Sequence, residues 1–448
     1  MALRLKIPGL PSFRNGVHPP ENKDLTSGIP SRRLPFPDEI VLPLSQHIGR
    51  PAQALVKAGD RVERGDVIAE ASGYVSSYVH ATAAGTVKSI EHWPHPAGAM
   101  QPSIRIEVDP HSTQLQRPRL VPHWDEVPAE QLSEEISKAG IVGLGGAAFP
   151  SHVKMRPPED QPVDVLMVNG CECEPYLTSD HRVMLEHPEQ VHLGIRIVLR
   201  ALGISRAVIG IEANKPDAIE MMEKTKPDDL DVRIQTLTVK YPQGAEKMLI
   251  KAVMGREVPS GKLPSAVGAM VQNVATTANV ANVFLTGQPL IERIITVSGR
   301  GIRKPGNYVI PFGTKLRDVI EHCGGFTDDA AEIIFGGPMM GQSQANLDVP
   351  VLKGTGGILV LAKDECKRQD IMPCIRCGKC LDACPVFLNP QLMGTLAKAE
   401  RYEEMVTEAN LNDCMLCGCC SYVCPSNIPL SQLFIMSRNQ LRRLPLDD

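Results

Sequence analysis

No stretch of this 448-residue chain approaches the roughly 20 consecutive apolar residues that span a bilayer. Its most apolar runs, Asp164–Val168 and Gly357–Ala362, are of strand length. Any work at a membrane is therefore expected to go through partners. The first twenty residues, MALRLKIPGLPSFRNGVHPP, are broken by Pro and Gly and lack the apolar core of a secretory signal. Aromatics are sparse at 4%, and a formal net charge of −4 gives no electrostatic case for nucleic acid. The apolar fraction, 43%, is that of an ordinary globular chain, and the length suggests two to four domains.

Cysteine is where the chain is rich. Eight of the 13 fall in two copies of one pattern, Cys374-x-x-Cys377-x-x-Cys380-x-x-x-Cys384-Pro385 and, forty residues on, Cys414-x-x-Cys417-x-x-Cys420-x-x-x-Cys424-Pro425. This is the spacing with which thiolates wrap a [4Fe–4S] cubane. Three cysteines at i, i+3 and i+6 reach three iron corners. The fourth, followed by a proline that ends the turn, is aimed elsewhere and in two-cluster ferredoxins ligates the other cluster. The expected ligand sets are Cys374, Cys377, Cys380 and Cys424 for one cluster, and Cys414, Cys417, Cys420 and Cys384 for the other. Zinc is tetrahedral and usually built from two separated Cys pairs, a poorer match to two four-cysteine repeats. The 29 residues between Cys384 and Cys414 read as helices over Pro390–Lys398 and Glu400–Ala409, which favours a helix-rich two-cluster domain. Thiolates of this kind point to a reducing compartment. Cys323, Cys366 and Cys419 read as plain thiols. A protein with this tail moves electrons one at a time.

Upstream the texture changes several times. Residues 1–51 hold nine prolines and read as an extended arm packed over the body, with Gly16–Lys23 its most distinctive piece. From Ile40 to Val108, short strands alternate with Gly-Asp turns, at Val56–Val62, Arg64–Glu70 and Val79–Val87. The pattern is similar to the barrel sandwich of biotinyl and lipoyl carriers, but the tip around Gly73-Tyr74-Val75-Ser76 has no lysine to carry a swinging arm. From Trp124 the alternation is α/β: helix Pro128–Ala139, strand Val163–Val168, helix Pro188–Leu202, strand Ala207–Glu212 and helix Pro216–Thr225. Between the first two lies the loop Gly140–Pro150, dense in glycine, with Lys154 just beyond. Such a loop either lets backbone N–H groups approach a phosphate or is a tight turn. The strand Val163–Val168 runs into Asn169-Gly170-Cys171-Glu172-Cys173-Glu174, a polar strand end of the kind where open α/β sheets place ligands. Glu172 and Glu174 are either solvated or accept hydrogen bonds there, and the Cys-x-Cys pair reads as incidental. From Ile294, strands around a Pro-Gly turn precede a helix that Thr314 is expected to cap and Gly324-Gly325 to stop, a β-grasp order. Met339 and Met340 in the following glycine turn read as packing.

The glycine loop, the Asn169–Pro175 strand end, Gly244–Glu246 and Gln272–Thr276 fall in an order that resembles the flavin-carrying, NADH-oxidising subunit of respiratory complex I. From the Gly16–Lys23 arm through both cysteine repeats, the chain resembles the RnfC family of the Rnf ion-translocating ferredoxin:NAD oxidoreductase. The resemblance implies FMN, NAD(H) and two [4Fe–4S] clusters. It implies that Gly143, Gly145, Gly146 and Lys154 hold the FMN phosphate and that Asn169 and Glu172 contact the flavin ring or ribityl chain. Glu174 would meet the nicotinamide nucleotide and Phe149 stack on its adenine. Gly244 and Glu246 would line the isoalloxazine, and Asn273 and Thr276 close the phosphate side. The resemblance further implies that hydride would pass from NADH to FMN without a protein acid or base, and that electrons would leave singly through the clusters. The sequence departs from the complex I pattern at Leu144 (often arginine), Cys171 (aspartate), Cys173 (glycine) and Ala245 (glutamate).

The resulting expectation is an α/β multidomain chain. It comprises an arm and barrel sandwich (1–123), an α/β FMN/NADH domain (124–290), a β-grasp, SLBB-like module (291–365) and an α-helical two-cluster ferredoxin domain (366–448). Its expected partners are the membrane and iron–sulfur subunits of one complex, with ferredoxin reached indirectly. Its expected place is peripheral, on the cytoplasmic side of the inner membrane. The competing readings are a soluble dehydrogenase or hydrogenase subunit with the same chemistry, and a non-enzymatic iron–sulfur wire.

Overall fold

The arm's prolines and polar residues give it no core of its own, so it takes its partners from everything it crosses. The computed structural model describes residues 9–115, 123–366 and 369–442. Val17 bridges Tyr241, and Arg32–Arg33 forms an edge strand parallel to Tyr308 and Val309. After the arm, Glu39–Pro43, Met100–Val108, Gly85–Pro94 and Arg61–Val62 form an antiparallel four-stranded sheet in that order. A second sheet holds Gln53–Ala54, Val67–Glu70 and Val79–His80. Ile104 and Ile106 are fully buried while Glu107 points out, the period-two signature of a strand with one face inward. The strands expected over Val56–Val62 and Arg64–Glu70 shrink to Arg61–Val62 and Val67–Glu70. Gly59 and Gly65 take positive φ (91° and 97°), so turns occupy the rest.

The α/β unit is built on a parallel sheet ordered Val232–Leu237, Ala207–Glu212, Val165–Asn169, Ala269–Asn273. Helix Pro188–Leu202 starts with proline at its first position and ends at the left-handed Gly203, as its sequence signals imply. It packs on helix Val274–Thr286 at very close range, and a Cβ at Gly194 would stand 1.9 Å from the Thr277 carbonyl. That contact admits only glycine. The paired ends of the central strand Val165–Asn169 and the edge strand Ala269–Asn273, Asn169 opposite Asn273, open at the carboxyl edge of the sheet, where open α/β sheets place ligands.

The β-grasp module is a mixed sheet ordered Arg32–Arg33, Gly306–Pro311, Glu292–Ser298, Gly357–Ala362, Ala330–Phe335, Gln342–Ser343, with helix Leu316–His322. Thr314 does not cap that helix. It lies one residue too early, and its hydroxyl donates to the Pro311 carbonyl at 2.8 Å while Lys315 takes the cap position. Gly324 and Gly325 do end it, both with φ near 81°.

The cysteine-rich part has a separate core of Met393, Leu396, Met405, Leu411 and Phe434. Helices Lys379–Ala383, Pro390–Lys398, Tyr402–Thr407, Cys419–Tyr422 and Leu430–Leu441 surround it. The sequence repeat is also a backbone repeat. Left-handed residues recur forty apart, at Arg376 and Leu416, Gly378 and Gly418, and Phe387 and Asn427. Among the described residues no helix is long and apolar enough to cross a membrane.

Candidate functional site

The glycine loop is held by its ends and left free at its tip. Val142 bridges Pro150, and the Gly143 amide donates to the Phe149 carbonyl at 2.8 Å. The Leu144 amide donates to Thr276 Oγ1 at 2.8 Å, which ties the loop to the start of helix Val274–Thr286. Asn273 caps that helix, its Oδ1 accepting from the Ala275 and Thr276 amides. Gly145 packs over Asn273. The amides of Gly145, Gly146 and Ala147 have no backbone partner among the described residues, and all three residues are exposed. Free amides beside a helix N-terminus form an anion cradle.

Two buried cations fix this loop from behind, and neither carries a signal in the sequence. Arg293, from the β-grasp strand Glu292–Ser298, donates through Nη1 to the Leu144 carbonyl at 2.9 Å and the Lys353 carbonyl at 3.1 Å. Lys353 donates to the carbonyls of Tyr78 and Gly140 at 2.7 and 2.8 Å, and burial lowers its pKa to about 7. Asp180 accepts from Asn273 Nδ2 at 2.7 Å. Burial, reinforced by the Glu172 charge, raises the Asp180 carboxyl to about 7.

The strand end brings together Asn169, Gly244 and Glu172. Asn169 Nδ2 donates to the Gly244 carbonyl at 2.8 Å. A Cβ at Gly244 would fill a space bounded by Cys173 Sγ, Cys171 Cβ and Asn169 Oδ1 at 3.3–3.5 Å. Glu172 turns inward, its carboxylate accepting from the amides of Asp180 and His181 at the start of helix Ser179–Glu186. Lys154 pairs with Glu246 at 2.7 Å and donates to the Val271 carbonyl. Phe149 is half-buried at the end of the loop.

Glu174 faces another way. Its carboxylate accepts from the Met339 amide at 3.1 Å, with the Tyr241 hydroxyl at 3.4 Å, and burial raises it to about 7. Beneath it, Lys23 of the arm donates to the carbonyls of Glu172, Glu174 and Leu177. Burial lowers the pKa of that ammonium. Cys171 is buried against the Gly210 carbonyl, and Lys215 Nζ donates to the Cys171 carbonyl at 2.6 Å. Cys173 accepts from the Gly244 amide.

The cysteines of the two repeats gather around two cavities. One is lined by Cys374, Cys377, Cys380 and Cys424. The other is lined by Cys384, Cys414, Cys417 and Cys420, with Cys419 beside them. Each cavity thus holds three cysteines of one repeat and the fourth of the other.

Strand end and second cavity meet. Val17, Tyr241, Ala383 and Cys419 form a buried apolar cluster joined by Cys173, Met339 and Cys417. The Tyr241 hydroxyl donates to the Cys417 carbonyl at 2.8 Å. A Cβ at Gly418 would come within 2.7 Å of the Met339 carbonyl, so only glycine lets the β-grasp turn sit this close. Asn15 and Gly16 of the arm donate to the carbonyls of Cys384 and Ala383.

Known proteins match this arrangement piece by piece. Residues 11–111 match the RnfC barrel sandwich hybrid domain and 136–282 the Nuo51 FMN-binding domain. Residues 294–343 match the SLBB domain and 370–428 a 4Fe-4S dicluster domain. The C subunit of the proton-translocating ferredoxin:NAD(+) oxidoreductase complex of Clostridium ljungdahlii is 45% identical over 90% of this chain and 88% of its own. Its Na(+)-translocating counterpart from Acetobacterium woodii is 42% identical over 85% of this chain and 86% of its own. The C subunit of the ion-translocating oxidoreductase complex of Rhodobacter capsulatus is 42% identical over 85% and 73%. With its barrel sandwich, FMN-binding, SLBB and dicluster parts in order, the chain belongs to the RnfC family.

Proposed function

We propose that this chain is the nicotinamide-nucleotide-facing subunit of an ion-translocating ferredoxin:NAD(+) oxidoreductase complex. In this role it binds FMN and two [4Fe–4S] clusters and works from the cytoplasmic face of the membrane beside its partner subunits. The observation that carries the reading is the shared apolar seam, in which Cys173 and Tyr241 of the flavin-domain strand ends pack against Cys417 and Cys419. A redox path needs its stations close together, and here the two candidate sites abut.

The residues fit the groups. The free amides of Gly145, Gly146 and Ala147, with Gly143 shaping the loop and Asn273 and Thr276 fixing the helix start, suit the FMN phosphate. Gly244 and Asn169 leave a shelf without a Cβ for the ring, and the Lys154–Glu246 pair borders it. Glu172 holds the helix that carries Asp180, and through it Asn273. Phe149 lies beside the loop, in reach of the adenine end of a dinucleotide. Cys374, Cys377, Cys380 and Cys424 suit one cluster, and Cys414, Cys417, Cys420 and Cys384 the other. When bound, FMN exchanges a hydride with the nicotinamide and the clusters carry single electrons. Glu174 stays on the protein side, oriented by Met339 and Tyr241, where it braces the β-grasp turn.

Anaerobic purification with FMN and iron quantification, followed by addition of NADH, tests this reading. The flavin absorbance bleaches and the clusters then reduce. In Cys417→Ser the flavin still bleaches while onward transfer to an external acceptor is lost. A wild-type protein that retains no flavin and does not respond to NADH would sink the proposal and leave an iron–sulfur wire.

A further inference from the structure

The barrel sandwich carries a face that the sites above leave unused. At its tip, where a carrier domain would present a lysine, it presents Gly73 and Tyr74, and the tip is folded onto the helix following the glycine loop. His152 Nε2 donates to the Tyr74 carbonyl at 3.0 Å, and the two rings meet edge to face with centroids 6.1 Å apart. A second loop joins it. The Ile48 amide donates to the carbonyl of Ala148, the residue directly before Phe149, and the Arg50 amide donates to the Val75 carbonyl at 3.0 Å. The barrel sandwich therefore borders the glycine loop on the Phe149 side.

Its side chains here are turned outward. Tyr74 is 57% exposed and Ile48 50%, although the neighbouring Ser76 and Ser77 are buried. Arg50 is exposed, its stem beside Gly73, and its guanidinium has no ion-pair partner among the described residues. Ile48, bonded to Ala148, and Tyr74, packed on His152, thus flank the segment that carries Phe149, and the Arg50 stem lies beside Gly73 on the same tip. Aromatic side chains stack on nucleobases, and guanidinium pairs with phosphate oxygens in a fork that ammonium cannot copy.

We propose that Ile48, Arg50 and Tyr74 complete the dinucleotide site, holding the adenosine-diphosphate half of NADH against Phe149. The inference rests on the NAD(H) reading above and adds to it a domain with no previous role in the chemistry. Carrier-like folds use this tip to deliver a tethered group; here the same tip receives a free one.

The test uses the full chain loaded with FMN and clusters, comparing NADH with reduced nicotinamide mononucleotide, which lacks the adenosine half. Tyr74→Ala raises the NADH concentration for half-maximal flavin bleaching roughly fivefold relative to that for the mononucleotide, as expected for loss of one stacking surface. Arg50→Gln acts in the same direction, and Tyr74→Phe restores the wild-type ratio. ADP-ribose, titrated calorimetrically, binds the wild type and weakens in parallel. An unchanged NADH-to-mononucleotide ratio together with unchanged ADP-ribose binding overturns the inference, and would leave the exposed tip to a partner protein. A wild type whose flavin ignores NADH overturns the parent reading too, and is distinguished because no variant is needed to see it.

Discussion

Position 144 is leucine where the complex I flavoprotein family often has arginine, yet a guanidinium still reaches the glycine loop. It comes from Arg293, 4% exposed, whose Nη1 holds the Leu144 carbonyl at 2.9 Å. Hydrogen bonds from a charged donor are worth about 1.5–3 kcal/mol, so Arg293→Met should weaken FMN binding roughly tenfold or more. Riboflavin, which lacks the phosphate, should lose less. Flavin-fluorescence titration measures both, with cluster absorbance as the check on folding. Glu174 makes a second residue-scale prediction, because burial raises its carboxyl from the ordinary 4.5 to about 7. The folded state then holds a proton that the unfolded chain releases between those values. The stability this provides is complete below about pH 4.5 and is lost as pH rises through about 7. Relative to Glu174→Gln, the wild type should therefore lose melting temperature between pH 5 and pH 8. A difference that stays flat across that range would show an ordinary carboxylate. Little of this was legible in the sequence. Arg293 sits in Glu292-Arg-Ile-Ile-Thr-Val-Ser298, where strand alternation gives no sign that the arginine lies inward, since its acceptors belong to Leu144 and Lys353.

Among the elements, the arm has the largest reach for the least structure of its own. Lys23 donates to three carbonyls of one loop, Glu172, Glu174 and Leu177. Lys23→Met leaves those acceptors buried without a donor, at a cost on the order of 3 kcal/mol. Lower melting temperature and faster amide exchange confined to residues 170–178 would register it; exchange unchanged there would mean the loop stands by itself. Elements with strong local signals were readable. Helix Pro188–Leu202 has proline at its start, glycine after its end and an apolar stripe, and it appears over that span. Helix Pro390–Lys398 likewise matches its expected span. The expected helix Glu400–Ala409 is shorter, Tyr402–Thr407, because Glu400 (φ 55°) breaks the backbone before it. In the barrel sandwich, turn glycines shorten the strands, and a period-two pattern over two to four residues is too brief to fix their limits.

On the scale of the whole molecule, each cysteine cavity borrows one residue from the other repeat, Cys424 for the first and Cys384 for the second. Removing a crossing cysteine should therefore damage both sites. Cys384→Ser is expected to bring iron content to less than roughly half of wild type, with the signals of both clusters altered, since ligands and fold are coupled. One cluster lost with the other spectroscopically untouched would mean the two sites are independent. The interleaved lining of the two cavities was legible because it follows from spacing within fifty residues. The seam was not, because Val17, Cys173, Tyr241, Met339 and Cys417 come from five separate regions of the chain, and nothing in any one of them signals that it meets the others.

The arm's seat also sets a clock. Asn15 donates its side-chain amide to the carbonyl of Cys384, 369 residues further along. At translation rates of about 5–20 residues per second, roughly 20–70 s separate the emergence of those two partners from the ribosome. During that interval the α/β sheet, complete by Asn273, stands with its carboxyl edge unsealed on the side later covered by the cysteine repeats. The flavin pocket is thus expected to be accessible to the free pool before the cluster-bearing part exists to be filled. A defect in late cluster delivery would leave chains that carry flavin but have a loose arm, a species open to proteases at its leading segment.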